Sequence, residues 1–216
     1  TGEILPTEIK NTDGGSCWAN DSKTLFYTKI DPQTLRSHKV YRHQVGQTSP
    51  KDVLVFHEKD ETFNTGIFKS KSEQYLIIES DSTLSTESRF LDASTPEGAF
   101  KIFQPRQRGL EYDIAHYGEY FYVLNNADGA TNFKLDKTPI THTELEHWSE
   151  VLPHREDTRL EEVDIFKEYL VVTERSQGLS QLRIIRWDGT KDMYLPFDNE
   201  TYTASTGLNL DFDTHW

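Results

Sequence analysis

Strand-like runs recur in fours along this chain, and the groups of four begin near Ser16, Phe63, Leu110 and Arg159, at steps of 47, 47 and 49 residues. Each unit is a single small sheet that cannot bury both of its faces alone, so it has to stack on its neighbours. The second run of each group is apolar on both faces: Leu25-Phe26-Tyr27-Thr28, Tyr75-Leu76-Ile77-Ile78, Tyr120-Phe121-Tyr122-Val123 and Tyr169-Leu170-Val171-Val172. Runs of that kind are central strands held between two neighbouring sheets. The third runs alternate and carry basic residues: Val40-Tyr41-Arg42-His43, Arg89-Phe90-Leu91-Asp92, Asn132-Phe133-Lys134-Leu135 and Leu182-Arg183-Ile184-Ile185. The fourth are Val53-Leu54-Val55-Phe56, Lys101-Ile102-Phe103-Gln104, Ser149-Glu150-Val151-Leu152 and Met193-Tyr194-Leu195-Pro196.

Four antiparallel strands at this period predict an all-β chain made of β-propeller blades. Four complete blades are expected over 16–62, 63–109, 110–158 and 159–200, with partial blades at both ends. Gly2-Glu3-Ile4-Leu5-Pro6, within 1–15, reads as the outer strand of a preceding blade. Tyr202 to Asp211, within 201–216, reads as the inner strand of a following one. The sequence thus has the look of a segment excised from a longer ring. Asp128-Gly129 and Asp188-Gly189 fall between strands, where residues tolerant of positive φ permit tight hairpins.

Composition narrows the function classes. With 36 acidic against 23 basic side chains and a net charge of −13, the chain repels polyanions, so no nucleic-acid partner is expected. Cys17 is the single cysteine, which precludes an intramolecular disulfide and fits a reduced, cytoplasmic setting. Its neighbourhood predicts a buried structural thiol rather than a reactive one. Apolar stretches stay far short of a membrane span, so no membrane association is expected. No Gly-x-Ser-x-Gly elbow, phosphate loop or His-Glu-x-x-His is present, and Gly178-Leu179-Ser180 falls in a turn between strands. His142, Glu144, Glu146 and His147 bring metal-ligating types together at no standard spacing and read as a solvated loop. Neither a metal nor any other cofactor is called for.

The connections from outer strand to next inner strand are His57-Glu58-Lys59-Asp60-Glu61-Thr62, Pro105-Arg106-Gln107-Arg108-Gly109 and Pro153-His154-Arg155-Glu156-Asp157-Thr158. Equivalent connections emerge on one rim, and their dense mixed charge suits either a docking surface or plain solvation. The candidate substrate-steering or interface residues are Glu58, Asp60, Arg106, Arg108, Glu111, Asp113, Arg155, Glu156 and Glu162. No catalytic residue is assigned.

Specific strings carry a family resemblance. Trp18-Ala19-Asn20-Asp21, Phe56-His57-Glu58-Lys59-Asp60, Thr86-Glu87-Ser88-Arg89-Phe90-Leu91-Asp92-Ala93, Pro105-Arg106, Glu111-Tyr112, His116-Tyr117 and Leu170-Val171-Val172-Thr173-Glu174-Arg175 resemble the oligopeptidase B branch of the prolyl oligopeptidase family. The resemblance implies a seven-bladed propeller capping an α/β-hydrolase domain that cleaves short peptides after Arg or Lys with a Ser-Asp-His triad. This segment would then gate and filter substrate access, with that catalytic domain of the same parent chain as its partner and short basic peptides as substrates. Alone it is expected to be inactive. It is also expected to pair into a dimer through blade faces that a full ring would cover. The alternative reading is a non-catalytic propeller scaffold for protein–protein interaction.

Overall fold

The computed structural model describes residues 8–207 and 209–214, and its strands form four separate antiparallel sheets of four. The first joins β1 (Ser16–Trp18), β2 (Thr24–Ile30), β3 (Ser37–Gln44) and β4 (Val53–His57) in chain order. The second joins β5 (Asn64–Lys69), β6 (Tyr75–Ser82), β7 (Ser85–Asp92) and β8 (Lys101–Ile102). The third is β9 (Tyr112–Tyr117), β10 (Tyr120–Asn125), β11 (Lys134–Pro139) and β12 (Ser149–Leu152). The fourth is β13 (Thr158–Ile165), β14 (Tyr169–Ser176), β15 (Leu179–Arg186) and β16 (Asp192–Tyr194). These are β-propeller blades, and the chain divides into two compact units, one ending at Arg106 and one beginning at Gln107.

The doubly apolar runs became central strands for the expected reason. Phe26, Leu76, Ile77, Phe121, Val123 and Val172 each show no exposed surface. In the first unit Ala19, Phe26, Val40, Ile67, Leu76, Ile78, Leu91 and Ala93 form one core. In the second Tyr122, Leu124, Leu135, Leu160, Ile165, Leu170 and Val172 form another. Tyr75, Tyr120 and Tyr169 open the second strands of their blades.

The outer strands and turns depart from the sequence reading. β8 ends at Ile102, and the Phe103 N–H to Ser88 carbonyl bond continues its ladder. β16 ends before Pro196, which has no N–H to donate. β11 starts at Lys134 rather than Asn132, because Phe133 turns to φ 63° just before it. Asp128-Gly129 lies in a short 3-10 turn within a longer connection rather than in a two-residue hairpin; Asp128 takes φ 56° and Gly129 φ 79°. Two-residue hairpins occur instead at Thr83-Leu84, at Gly118-Glu119 and at Gln177-Gly178, where both residues are left-handed at φ 51° and 82° and join β14 directly to β15. Between Tyr202 and Asp211 the described residues form no strand; the stretch beyond is tied by the Lys167 N–H to the Phe212 carbonyl, and the ring of Phe212 leans on Tyr117. The outer strand expected over Gly2 to Pro6 lies outside the described residues. Among the described residues no helix is long and apolar enough to cross a membrane.

Candidate functional site

Arginines from two of the rim connections pair with buried carboxylates, of which Glu58 lies on the rim and Glu174 on a central strand. In the first unit the chain leaves β4 and turns through Glu58, only 6% exposed. A carboxylate so placed needs partners, since desolvation disfavours its charged form. Arg106 Nη2 donates to Glu58 Oε2 at 2.5 Å, and the Asp60 N–H donates to Glu58 Oε1 at 2.9 Å. Burial alone would raise the Glu58 carboxyl, yet these donors outweigh it and hold it below its ordinary range.

Arg106 is bound on several sides. Its guanidinium carbon lies 3.5 Å from the Phe63 ring centre, its own N–H reaches Glu87 Oε2 at 3.0 Å, and Asp60 stands 3.7 Å away. Glu87 also accepts from Arg89 Nη2 at 2.6 Å, and Arg89 rests over the Phe56 ring at 4.7 Å. Arg36, from the β2–β3 connection, donates to the carbonyls of Phe63 at 2.7 Å and Asp60 at 3.1 Å. Cationic groups over aromatic faces and charge-assisted hydrogen bonds together fix this rim.

The second unit builds a comparable brace by a different route. Glu174, on central strand β14, has no exposed surface. Arg155 pairs with its Oε2, Arg183 Nη1 lies 3.4 Å from its Oε1, and the Tyr194 hydroxyl donates to it at 2.8 Å. Arg183 also grips Asp192 through two bonds of 2.7 Å, which tie β16 to β15. The bond from Asp192 is the main reason the Arg183 guanidinium is held above its ordinary range, and the same pairing lowers the Asp192 carboxyl.

The remaining sequence candidates fall elsewhere. Asp60 is exposed, its carboxyl lowered by the Thr62 side-chain and backbone donors. Arg108, Asp113, Glu156 and Glu162 are exposed as well. Glu111 is half-buried, and its backbone and carboxylate both bond Asn126. Arg106 is thus brought together with Glu58 and Asp60, whereas Arg155 is drawn to Glu174. The reading missed Arg36, Glu87, Glu174, Arg183 and Tyr194 as partners. A carboxylate inside an otherwise apolar strand run, as at Glu174, was the signal available, because such a group survives only if paired.

One other buried constellation has catalytic residue types. His43 Nδ1 lies 2.7 Å from Asp52 Oδ1, and the Tyr27 hydroxyl donates to Asp52 Oδ2 at 2.8 Å. Burial first, and then Asp52, push the Tyr27 hydroxyl upward, so it stays protonated as a donor. His142 and His147 pack edge to face at 5.1 Å, and His147 Nε2 lies 3.5 Å from Glu146. Among the described residues no three His, Cys, Asp or Glu side chains converge as metal ligands would. Cys17 packs against the first unit's core, and burial pushes its thiol up to about 12 despite Lys69 nearby.

Comparison with known proteins covers nearly all of the chain. The family described as prolyl oligopeptidase, N-terminal β-propeller domain, matches residues 1–215. Dipeptidyl aminopeptidase BI of Pseudoxanthomonas mexicana is 37% identical over 216 residues, all of this chain and 30% of that protein. Protease 2 of Moraxella lacunata is 29% identical over 217 residues, all of this chain and 31% of that protein. Oligopeptidase B from Trypanosoma brucei, in a closed form with covalently bound antipain, matches 98% of this chain and 31% of its own at 25% identity, with a TM-score of 0.91. The chain therefore spans under a third of the length of these relatives.

Proposed function

Because the chain belongs to the prolyl oligopeptidase family, as a stretch of its N-terminal β-propeller domain, we propose that it is the admitting and filtering part of a serine oligopeptidase. The parent protein cleaves short peptides after Arg or Lys in a separate α/β-hydrolase domain of the same chain. The blades supply confinement and electrostatics while that domain supplies the chemistry. The match of 98% of the chain to oligopeptidase B at a TM-score of 0.91 is the observation that carries this reading. The geometry of the rim is consistent with it: the buried carboxylates are spent on internal braces, so the clusters around Arg106 and Glu174 stiffen the blades and perform no reaction.

The test is to assay the longer protein encoded by the same reading frame on Arg and Lys reporter peptides beside neutral ones. Cleavage after Arg or Lys, blocked by a serine-directed covalent inhibitor and absent from the 216-residue chain, is expected. Cleavage without basic preference, or activity in the isolated chain, overturns it.

A second reading rests on the relative named dipeptidyl aminopeptidase, which at 37% identity is nearer in sequence than Protease 2 at 29%. Under it the parent protein releases dipeptides from a free N-terminus. Product analysis separates the two, since acetylating the substrate's N-terminus abolishes dipeptide release and spares internal cleavage.

A further inference from the structure

Trp18, a residue 47% exposed, closes β1 and lines a depression of about 590 Å³ together with Asn20, Ser22, Lys69 and Glu73. The depression lies within the first unit and shares no lining residue with the Arg106 rim cluster. Lys69 is half-buried there, and its Nζ donates to Asn20 Oδ1 at 3.0 Å. That acceptor is a neutral amide. Among the described residues Lys69 has no carboxylate within ion-pair distance, in a chain that carries 36 acidic side chains. The amide leaves the charge of this half-buried ammonium unneutralised on the wall of the depression, whose lining includes the exposed Glu73 as its acid.

The walls are fixed before any ligand arrives. Asn20 Nδ2 donates to the Glu73 carbonyl at 3.0 Å and to Ser94 Oγ at 3.4 Å. The Asn20 N–H donates to the Ala93 carbonyl and the Ala93 N–H to the Gln74 carbonyl, both at 2.9 Å. One side chain thus clamps the β1–β2 turn to the β5–β6 turn and to the stretch after β7. It also aims the Lys69 ammonium. Preorganisation of this kind removes ordering cost from binding.

We propose that Trp18 and Lys69 form a docking site for the carboxyl end of a peptide. The ammonium takes the terminal carboxylate through charge-assisted hydrogen bonds, and the Trp18 indole takes the apolar side chain of the last residue. Nucleic acid is disfavoured by the net charge of −13, and a free anion offers nothing to the indole. This deepens the peptidase reading above, on which it rests for the relevance of peptides, but its test reads binding and not cleavage.

The probes are the tripeptide Gly-Gly-Phe as free acid, the same tripeptide as C-terminal amide, and acetate, titrated into the chain by calorimetry with indole fluorescence as a second readout. The free acid is expected to bind about tenfold or more tightly than the amide, in keeping with one hydrogen bond to a charged group, and acetate far more weakly than either. Lys69→Met removes the preference for the acid, Lys69→Arg keeps it, and Trp18→Ala weakens both peptides while preserving their ratio. Near-ultraviolet circular dichroism confirms that each variant is folded. Equal affinity for acid and amide, an unchanged preference in Lys69→Met, or acetate as tight as the tripeptide overturns the proposal. A parent protein without peptidase activity would leave these affinities untouched, so the two readings fail separately.

Discussion

The Arg106 guanidinium carbon stands 3.5 Å from the centre of the Phe63 ring while its Nη2 reaches Glu58 at 2.5 Å. A residue of one rim connection thus holds the connection before it, through an aromatic face and a buried acid together. Arg106→Met retains much of the stem packing but strands Glu58. Breaking a buried pair from one side costs roughly 3–5 kcal/mol, and partial exposure of Arg106 reduces this to about 2–3 kcal/mol. Urea denaturation at pH 7, followed by hydrogen exchange within 8–106, measures the loss. Because the Glu58 carboxyl is lowered from its ordinary value of 4.5, its contribution is fully present above that pH and is lost as pH falls through the folded value. The gap between the parent chain and Arg106→Met therefore shrinks below about pH 4.5; a gap independent of pH would refute the pairing.

Glu174→Gln removes the charge that two guanidiniums share at a site with no exposed surface. A cost of about 3 kcal/mol is expected, together with faster amide exchange in β16, whose Tyr194 hydroxyl loses its anionic acceptor. Exchange in β16 at the parent rate would show that the Asp192–Arg183 pair alone holds the outer strand.

Cys17, its thiol pushed up to about 12 by burial, should resist thiol reagents at pH 8 in the folded chain. It should react within the mixing time once urea unfolds the first unit. Rapid labelling of the folded protein contradicts the packing of Cys17 against the first unit's core.

Charge reversal at Asp60, Glu111, Asp113, Glu156 and Glu162 in the longer protein should lower kcat/KM for Arg peptides at low ionic strength and matter less at high. Steering by exposed charge acts over about 8–10 Å in physiological salt and falls as salt rises. Glu58 is omitted, since Arg106 cancels it in place. An effect that ignores salt, or none at any ionic strength, removes steering as the role of these residues.

Phe166, Val171 and Leu182, with Tyr169, Ile184 and Ala204, make an apolar cluster on the fourth blade that also borders a cavity of about 460 Å³. The cluster itself is buried, but the cavity wall beside it leaves Leu195 open, and covering that surface favours association by roughly 25 cal/mol per Å² of apolar area buried. The isolated chain should sediment as a dimer at micromolar concentration, and Leu195→Asp, at a position 36% exposed on the cavity wall, should return it to monomer. A strictly monomeric parent chain excludes this pairing.

The blade repeat was legible because it rests on periodicity: doubly apolar runs at Leu76 to Ile78 and Val171 to Val172 allow only a central strand, whatever lies beside them. Strand ends were less legible. Phe133 takes a left-handed φ that its residue type disfavours, and only the packed connection around Asp128 to Ala130 imposes it. The rim shows the same division more sharply. Charge type and loop position singled out Glu58, Asp60, Arg106 and Arg155, all short-range properties of the chain. Which acid each arginine meets depends on how consecutive blades stack: Arg106 is 48 residues from Glu58, and Arg155 passes the neighbouring Glu156 to reach Glu174 inside the next sheet. Lys69 and Asn20, 49 residues apart, meet for the same reason. Hydrophobic period dictates the blade from sequence alone, whereas the pairing of buried charge is decided in three dimensions, because its large desolvation cost is recovered only where folding delivers a partner.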